Sequence, residues 1–106
     1  MTEIVVYVTA GNEAEALRIG RAVVEERLAA CANVIPGMNS VFWWEGKVQE
    51  ADEAVLILKS TAGLLERLTA RVKELHGYAV PCVVALPIAG GNADYLDWID
   101  AECTAG

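Results

Sequence analysis

The sequence predicts one α+β domain over residues 1–106, with an antiparallel sheet and helices packed on it, and three observations carry this prediction. A length of 106 residues is that of a single domain. With 55% hydrophobic residues, the chain can form a core and is unlike a disordered chain. Short β-branched runs alternate with segments of helical periodicity, and no linker, repeat or low-complexity segment interrupts them.

The chain begins with a strand followed by a helix. Residues 4–9 form a β-branched run, Gly11 ends it, and Asn12 followed by Glu15 is typical of a helix N-terminal capping box. Apolar residues then recur at helical spacing, and we expect this helix to end near Ala30. The positions expected to face inward are Leu17, Gly20, Val24, Leu28 and Cys31.

A long β-hairpin follows. Residues 31–44 favour a strand interrupted at 36–37 (Pro-Gly), a turn at 45–46 (Glu-Gly) reverses the chain, and residues 47–59 contain no Gly or Pro. An uninterrupted second strand of this length spans about 43 Å at about 3.3 Å per residue. A compact domain of this size is only about 34 Å across. The hairpin must therefore protrude or bend around something.

The remaining segments complete the fold class. Ser60 or Thr61 can cap a second helix that Gly77 ends, residues 80–88 favour a strand, and 90–92 (Gly-Gly-Asn) lead into a short last helix. The second helix has an apolar seam of Leu65, Leu68, Val72 and Leu75, and the last helix turns Leu96, Ile99 and Cys103 inward. The order predicts a ferredoxin-like βαββαβ plait with a long β2-β3 hairpin and a short C-terminal helix.

The sheet is apolar on both faces. Helices cover only one face of a plait, yet residues 4–8, 55–58 and 83–86 present apolar side chains to both. A large uncovered apolar face is a signal of protein contact, and identical copies closing into a ring with crossing hairpins would cover it. We therefore favour a homo-oligomer over a heteromeric partner.

Charge and cysteine usage restrict the partners. Eight basic residues against fifteen acidic ones give a net charge of −7, which opposes binding to nucleic acid or anionic lipid and favours cations. Neither a signal peptide nor a membrane span is evident, so we expect a cytoplasmic protein. Cys31, Cys82 and Cys103 include no CxxC pair and are expected to be reduced thiols.

Four segments identify a family by resemblance. They are residues 24–37 (VEERLAACANVIPG), 43–50 (WWEGKVQE), 85–88 (ALPI) and 91–98 (GNADYLDW). Together they closely resemble the CutA family of divalent-ion tolerance proteins, in one register from about Ile4 to Ile99. The resemblance implies a ferredoxin-like fold, a tight homotrimer and a relationship to PII signalling proteins. It also implies a role in tolerance of copper or other divalent metals, with no settled reaction.

The resemblance also directs attention to one candidate metal site. Some members have a proposed copper site with a Cys late in the first strand and a His near the end of the second helix. This chain has Val-Thr-Ala at residues 8–10, and it has Ala79 and Cys82 where related sequences carry carboxylates. A pair of His76 and Cys82 favours Cu(I), Zn(II) or another soft or borderline transition metal over hard ions. The alternatives are a C-terminal helix residue for His76 and a core thiol for Cys82.

A second candidate site is a ligand cleft between subunits. Adjacent Trp43 and Trp44 must face opposite sides of their strand, so one can pack inside the protomer while the other meets a neighbour. Trp44, Glu53, Lys59 and Tyr78 could line such a cleft, by analogy with the ligand sites of PII relatives.

The functional prediction is a non-enzymatic homotrimer. The sequence has no GxGxxG, Walker, GxSxG or HExxH motif, so we expect neither catalysis nor an organic cofactor. We expect it to bind metal ions or a small ligand and to have no nucleic-acid or membrane partner. The alternatives are a structural or protein-interaction trimer, a PII-like signalling module, and an enzyme in which Lys59 or Glu53 meets His76 across an interface.

Overall fold

A computed structural model of the chain describes residues 2–104, and within them it has four strands and three helices. Their bounds are β1 (Glu3–Ala10), α1 (Glu13–Glu25), β2 (Cys31–Trp44), β3 (Lys47–Thr61), α2 (Leu65–Leu75), β4 (Val83–Pro87) and α3 (Ala93–Glu102), with a 3-10 turn at Ala62–Leu64 before α2. The strands form one antiparallel sheet in the order β2-β3-β1-β4. This arrangement confirms the predicted ferredoxin-like plait.

Helix α1 begins as predicted and ends earlier. Asn12 Oδ1 accepts a hydrogen bond from the Glu15 N–H at 2.8 Å, which confirms the N-terminal cap. The expected end near Ala30 is wrong, because Arg27 adopts the left-handed conformation at φ 64°. The Leu28 N–H then donates a hydrogen bond back to the Val23 carbonyl, a backbone pattern that is common where helices end. Leu28 is buried, but it lies in the loop that follows the helix.

Helix α1 buries Gly20, as predicted, but not all of the positions that were predicted to face inward. The prediction that Leu17 faces inward is wrong, because this residue is 52% exposed. A Cβ on Gly20 would come within 3.0 Å of the Ala32 Cβ and Leu56 Cδ1 atoms of the sheet. The missing side chain therefore lets the helix lie close to the sheet. The buried residues of this helix are Ala16, Ile19, Gly20 and Val23.

The hairpin protrudes, as its length predicted. Strands β2 and β3 pair up to Trp44 and Lys47, with an irregularity in register between Ile35 and Met38, at the predicted interruption. Glu45 and Gly46 have φ values of 51° and 77°, as a two-residue hairpin turn requires. The described part of the molecule measures 44 × 25 × 22 Å, with residues at the hairpin tip exposed to solvent.

Two boundaries in the second half differ from prediction. The predicted side-chain cap on α2 is wrong: Ser60 is fully buried and its hydroxyl donates to the Leu28 carbonyl at 2.7 Å, while Thr61 makes no side-chain cap bond. Strand β4 is shorter than the expected 80–88, because residues 76–82 form a loop that is held by other contacts. The predicted seam of α2 is confirmed, with all four members buried or half-buried: Leu65, Leu68, Val72 and Leu75.

The core lies between the sheet and helices α1 and α2. The even-numbered residues of β1 and the end of β3 supply its sheet side, and Leu68 and Val72 supply part of its helix side. Helix α3 packs at the end of the sheet through Ile99, which is fully buried, and an Arg27–Glu102 ion pair of 2.7 Å ties it to the loop after α1. No described helix is long and apolar enough to span a bilayer.

Candidate functional site

The helices leave one face of the sheet largely uncovered. Because side chains alternate along a strand, the odd-numbered residues of β1 point away from the core. The strand register places residues of β3 and β4 beside them on the same surface. Three of these side chains are at least half exposed to solvent. We call this surface the open face, formed by Val5, Tyr7, Ile35, Ile57, Val84 and Leu86.

A cleft of about 520 Å³ lies at one end of this face, where the hairpin meets the loop 76–82. Most of its wall is apolar, with a few polar groups, as is usual for ligand sites of this volume. Phe42 and Trp44 reach it from β2, and Gln49 and Glu53 reach it from β3. The full lining is Thr9, Ser40, Phe42, Trp44, Gln49, Glu53, Tyr78, Ala79, Val80 and Cys82.

Glu15 holds one wall of the cleft in place. Its two carboxylate oxygens accept hydrogen bonds from the backbone N–H groups of Gly11 and Gly77, each at 2.8 Å. Partial burial raises the pKa of this carboxyl, but the two N–H groups, with His76 and Arg18 nearby, outweigh burial and lower the pKa overall. One side chain in α1 thus joins the end of β1 to the loop 76–82.

His76 caps the end of α2 and is only 9% exposed. Its Nε2 lies 2.7 Å from the Thr9 carbonyl oxygen, so this nitrogen carries the proton and donates. Its Nδ1 accepts the Tyr78 N–H at 3.0 Å, and the two rings lie 4.7 Å apart. These two contacts leave neither ring nitrogen free within the chain.

Tyr78 and Cys82 lie on the same loop and face the cleft. The Tyr78 hydroxyl donates to Glu53 Oε2 at 2.9 Å, and burial together with this carboxylate raises its pKa to about 12. Burial, with a smaller effect of Glu53, also raises the pKa of the Cys82 thiol. Within residues 2–104, no three His, Cys, Asp or Glu side chains come together as a metal site would require.

Three of the four residues predicted for the cleft are brought together there, namely Trp44, Glu53 and Tyr78. Lys59 lies elsewhere, at the far end of the open face. Its Nζ donates to Asn33 Oδ1 at 2.8 Å and lies 5.7 Å from the centre of the Tyr95 ring.

Sequence reasoning missed three contributors to this region. Phe42 and Gln49 face each other across the hairpin and line the cleft beside Trp44. The i, i+2 spacing of Phe42 and Trp44 carries a signal, because it places both rings on one side of the strand. The sequence indicates only a helix-cap role for Glu15, and its bond to Gly77 has no signal in the sequence.

The three cysteines are free thiols, as predicted. Cys31 lies 3.9 Å from the Lys59 ammonium nitrogen, and Cys103 lies 4.0 Å from the Ser60 hydroxyl. Burial is the main cause that raises the pKa of Cys103. Trp43 is 75% exposed on the side of the hairpin opposite Trp44, in agreement with their expected opposition.

Fold and cleft together define a small ferredoxin-like α+β protein with an extended hairpin, an uncovered sheet face and a cleft at their junction. Residues 4–102 match the family model of the CutA1 divalent ion tolerance protein. The chain belongs to the CutA family.

Named relatives support this assignment. The chain is 50% identical over 97 residues to the divalent-cation tolerance protein CutA of Thermus thermophilus, covering 92% of this chain and 94% of that protein. It is 52% identical over 96 residues to the chloroplastic protein CutA 1 of Oryza sativa, covering 91% of this chain. The chain spans only 54% of the length of this rice relative.

Solved structures agree in fold. The crystal structure of CutA1 from Oryza sativa superposes with a TM-score of 0.96 at 47% identity, covering 100% of this chain and 97% of that one. The CutA1 structure from Thermus thermophilus superposes with a TM-score of 0.90 at 50% identity, covering 92% of this chain and 94% of that one.

Proposed function

We propose that the protein acts in tolerance of divalent metals as a cytoplasmic homotrimer that binds a metal ion or a small ligand and does not catalyse a reaction. The observation that carries this proposal is the open face and its continuity with the cleft. The open face can form the interface between subunits, and it leads into a cleft large enough for a ligand. This arrangement suits a binding protein whose sites lie at subunit boundaries. The three free thiols support a reducing compartment.

The trimer is supported by the exposure of the open face. Val84 and Leu86 on β4 are 52% and 57% exposed, and Ile35 on β2 is 50% exposed. Apolar residues clustered in this way mark contact sites rather than a solvated surface. The hairpin extends beyond the rest of the domain, so in a closed ring it can lie against a neighbour. Three chains of 11.3 kDa have a mass of about 34 kDa.

A metal role involves His76 and Cys82, with Cu(I), Cu(II) and Zn(II) as the candidate ions. One chain offers these two donors, whereas zinc and copper sites commonly use three or four protein ligands. We therefore propose that a complete site takes further donors from a neighbouring subunit. His76 must also release a nitrogen from Thr9 or Tyr78 before that nitrogen can bind a metal ion.

Isothermal titration with Cu(I), Cu(II) and Zn(II) tests the metal role. We expect binding to the native protein that His76→Ala and Cys82→Ser each weaken at least tenfold. Cys31→Ser is the matched control, because Cys31 lies at the other end of the sheet beside Lys59. Circular dichroism confirms that each variant is folded. Absence of heat, or equal heat from all variants, would remove these two residues from the function.

The absence of catalysis is a separate part of the proposal. It is supported by the two hydrogen bonds of the His76 ring, because neither nitrogen is free to exchange a proton with a substrate. Loss of either His76 hydrogen bond when a candidate substrate is added would contradict the absence of catalysis. Nuclear magnetic resonance of the His76 ring nitrogens, with and without extracts fractionated by size, reports that exchange.

A second candidate function is protein interaction through the hairpin. Val41, Trp43 and Val48 form an apolar patch on the side of the hairpin that faces away from the cleft, and they are 67%, 75% and 56% exposed. A pull-down that captures one partner regardless of chelator, and that Trp43→Ser abolishes, would favour this function over metal binding.

A further inference from the structure

The cleft combines aromatic rings with one carboxylate. Phe42 and Trp44 project from the same side of β2, and Tyr78 lines the same cleft from the loop 76–82. Glu53 projects from β3 into the same space. The negative faces of aromatic rings attract cations, and rings grouped around a carboxylate are typical of sites for substituted ammonium groups.

Glu53 has no cationic partner within the part of the chain that the structure describes. Its Oε2 accepts the Tyr78 hydroxyl at 2.9 Å, and none of the ion pairs between described residues includes it. Lys59, on the same side of β3, is engaged by Asn33 at the far end of the open face. A half-buried carboxylate against an apolar wall loses hydration, and a bound cation offsets that loss.

The Tyr78 phenol does not change this charge balance. Burial and the neighbouring carboxylate raise its pKa to about 12, so at neutral pH it is an uncharged hydrogen-bond donor. It orients the Glu53 carboxylate and leaves that charge available to a ligand. The net charge of the whole chain, −7, also favours the approach of cations over anions.

We propose that this cleft binds a small organic cation, namely an amine that is quaternary or protonated and carries an apolar body. Glu53 would pair with the positive charge, while Phe42, Trp44 and Val80 would cover the apolar part. The volume of about 520 Å³ suits such a molecule. A hydrated metal ion suits this cleft less well, because most of the exposed wall surface is apolar. The inference rests on the proposal that the cleft is a ligand site.

Benzyltrimethylammonium is a suitable probe, with benzyl alcohol as the neutral analogue and benzenesulfonate as the anionic one. Titration of each into the ¹⁵N-labelled protein, followed by the indole N–H signals, measures binding and its location together. We expect the cation to shift the Trp44 signal and to leave those of Trp43 and Trp98 unchanged, because Trp43 is on the opposite side of the hairpin and Trp98 is on α3. The two analogues should bind at least tenfold more weakly.

Matched variants show whether the carboxylate and the aromatic ring each contribute to binding. Glu53→Gln should weaken binding about tenfold or more, as expected for loss of a charge-assisted contact. Glu50→Gln, on the opposite side of the same strand, should change it less than about twofold, as is usual for a distant surface charge. Trp44→Leu should weaken binding about threefold to tenfold, and Trp43→Leu should not, if ring–cation contact contributes.

Several outcomes would overturn the inference. Equal binding of benzenesulfonate would show an apolar pocket without selectivity for charge, and equal effects of Glu53→Gln and Glu50→Gln would remove the carboxylate. Absence of cation binding by a protein of trimeric mass that still binds metal through His76 and Cys82 would refute this inference alone. A monomeric protein that binds the cation at Trp44 would instead support it and refute the trimer.

Discussion

Replacement of Glu15 by Gln tests how the wall of the cleft is held. Each carboxylate oxygen of Glu15 accepts one backbone N–H, from Gly11 and from Gly77, at 2.8 Å. Glutamine has one acceptor oxygen, so its amide group must point hydrogens at one of these two donors. The change keeps the size of the side chain and removes one of two hydrogen bonds together with the charge.

The expected cost follows from these contacts. A hydrogen bond to a charged group contributes about 1.5–3 kcal/mol, and the exposed Gly77 N–H can regain water, so we expect Glu15→Gln to lower the free energy of unfolding by about 2 kcal/mol. Glu13→Gln is the matched control, because Glu13 lies in the same first turn of α1 and is exposed. Loss of its favourable interaction with the helix dipole should cost only about 0.5 kcal/mol.

The effect of Glu15 should depend on pH in a defined direction. Its pKa is lower in the folded protein than the ordinary value of 4.5. The stabilisation is therefore fully present above about 4.5 and is lost as the pH falls through the lower folded-state pKa. The stability difference between the native protein and Glu15→Gln should shrink in that range.

Guanidinium unfolding at a fixed chain concentration, followed by circular dichroism, measures the free energy of unfolding of each variant. Measurements at pH 7 and below pH 4 test the size of the loss and its dependence on pH. Equal losses for Glu15→Gln and Glu13→Gln at pH 7 would refute the role of Glu15 in holding the loop. A difference that grows as the pH falls would refute the assigned direction of its pKa.

Three further predictions concern the core, the cleft and the buried thiols. Leu68→Ala should cost about 2–5 kcal/mol in urea unfolding because Leu68 is fully buried, and a loss below about 1 kcal/mol would contradict its place in the core. Glu53→Gln should lower the pKa of Tyr78 from about 12, measured by nuclear magnetic resonance of labelled tyrosine, and an unchanged value would exclude their contact. Cys82 and Cys103 should react with iodoacetamide at pH 8 more slowly than glutathione, by peptide mass spectrometry, because burial raises both pKa values.

Local signals predicted the elements well where the sequence itself sets the geometry. Asn12 followed by Glu15 located the start of α1, and Glu45-Gly46 located the hairpin turn, because cap and turn each depend on a few adjacent residues. The end of α1 was misplaced because apolar spacing continues past Arg27, whose left-handed backbone has no signature in that spacing.

The cleft was predicted only in part because its second wall comes from a distant segment. Trp44 and Glu53 are on one side of the hairpin by alternation, but Lys59 shares that side too and lies about 20 Å farther along β3 at about 3.3 Å per residue. The loop 76–82 lies near Glu53 rather than Lys59 because His76 bonds to Thr9 and Gly77 bonds to Glu15. Such contacts between distant segments cannot be read from spacing.

The proposal that the open face closes a homotrimer is tested most directly by the mass in solution. Sedimentation equilibrium at several micromolar chain concentrations should give about 34 kDa, three times the chain mass of 11.3 kDa. Leu86→Lys, which places a charge on the open face, should shift that mass towards the monomer, whereas Val41→Lys on the hairpin should shift it less. A native protein of 11.3 kDa across this range would contradict the trimer and leave the open face without its proposed cover.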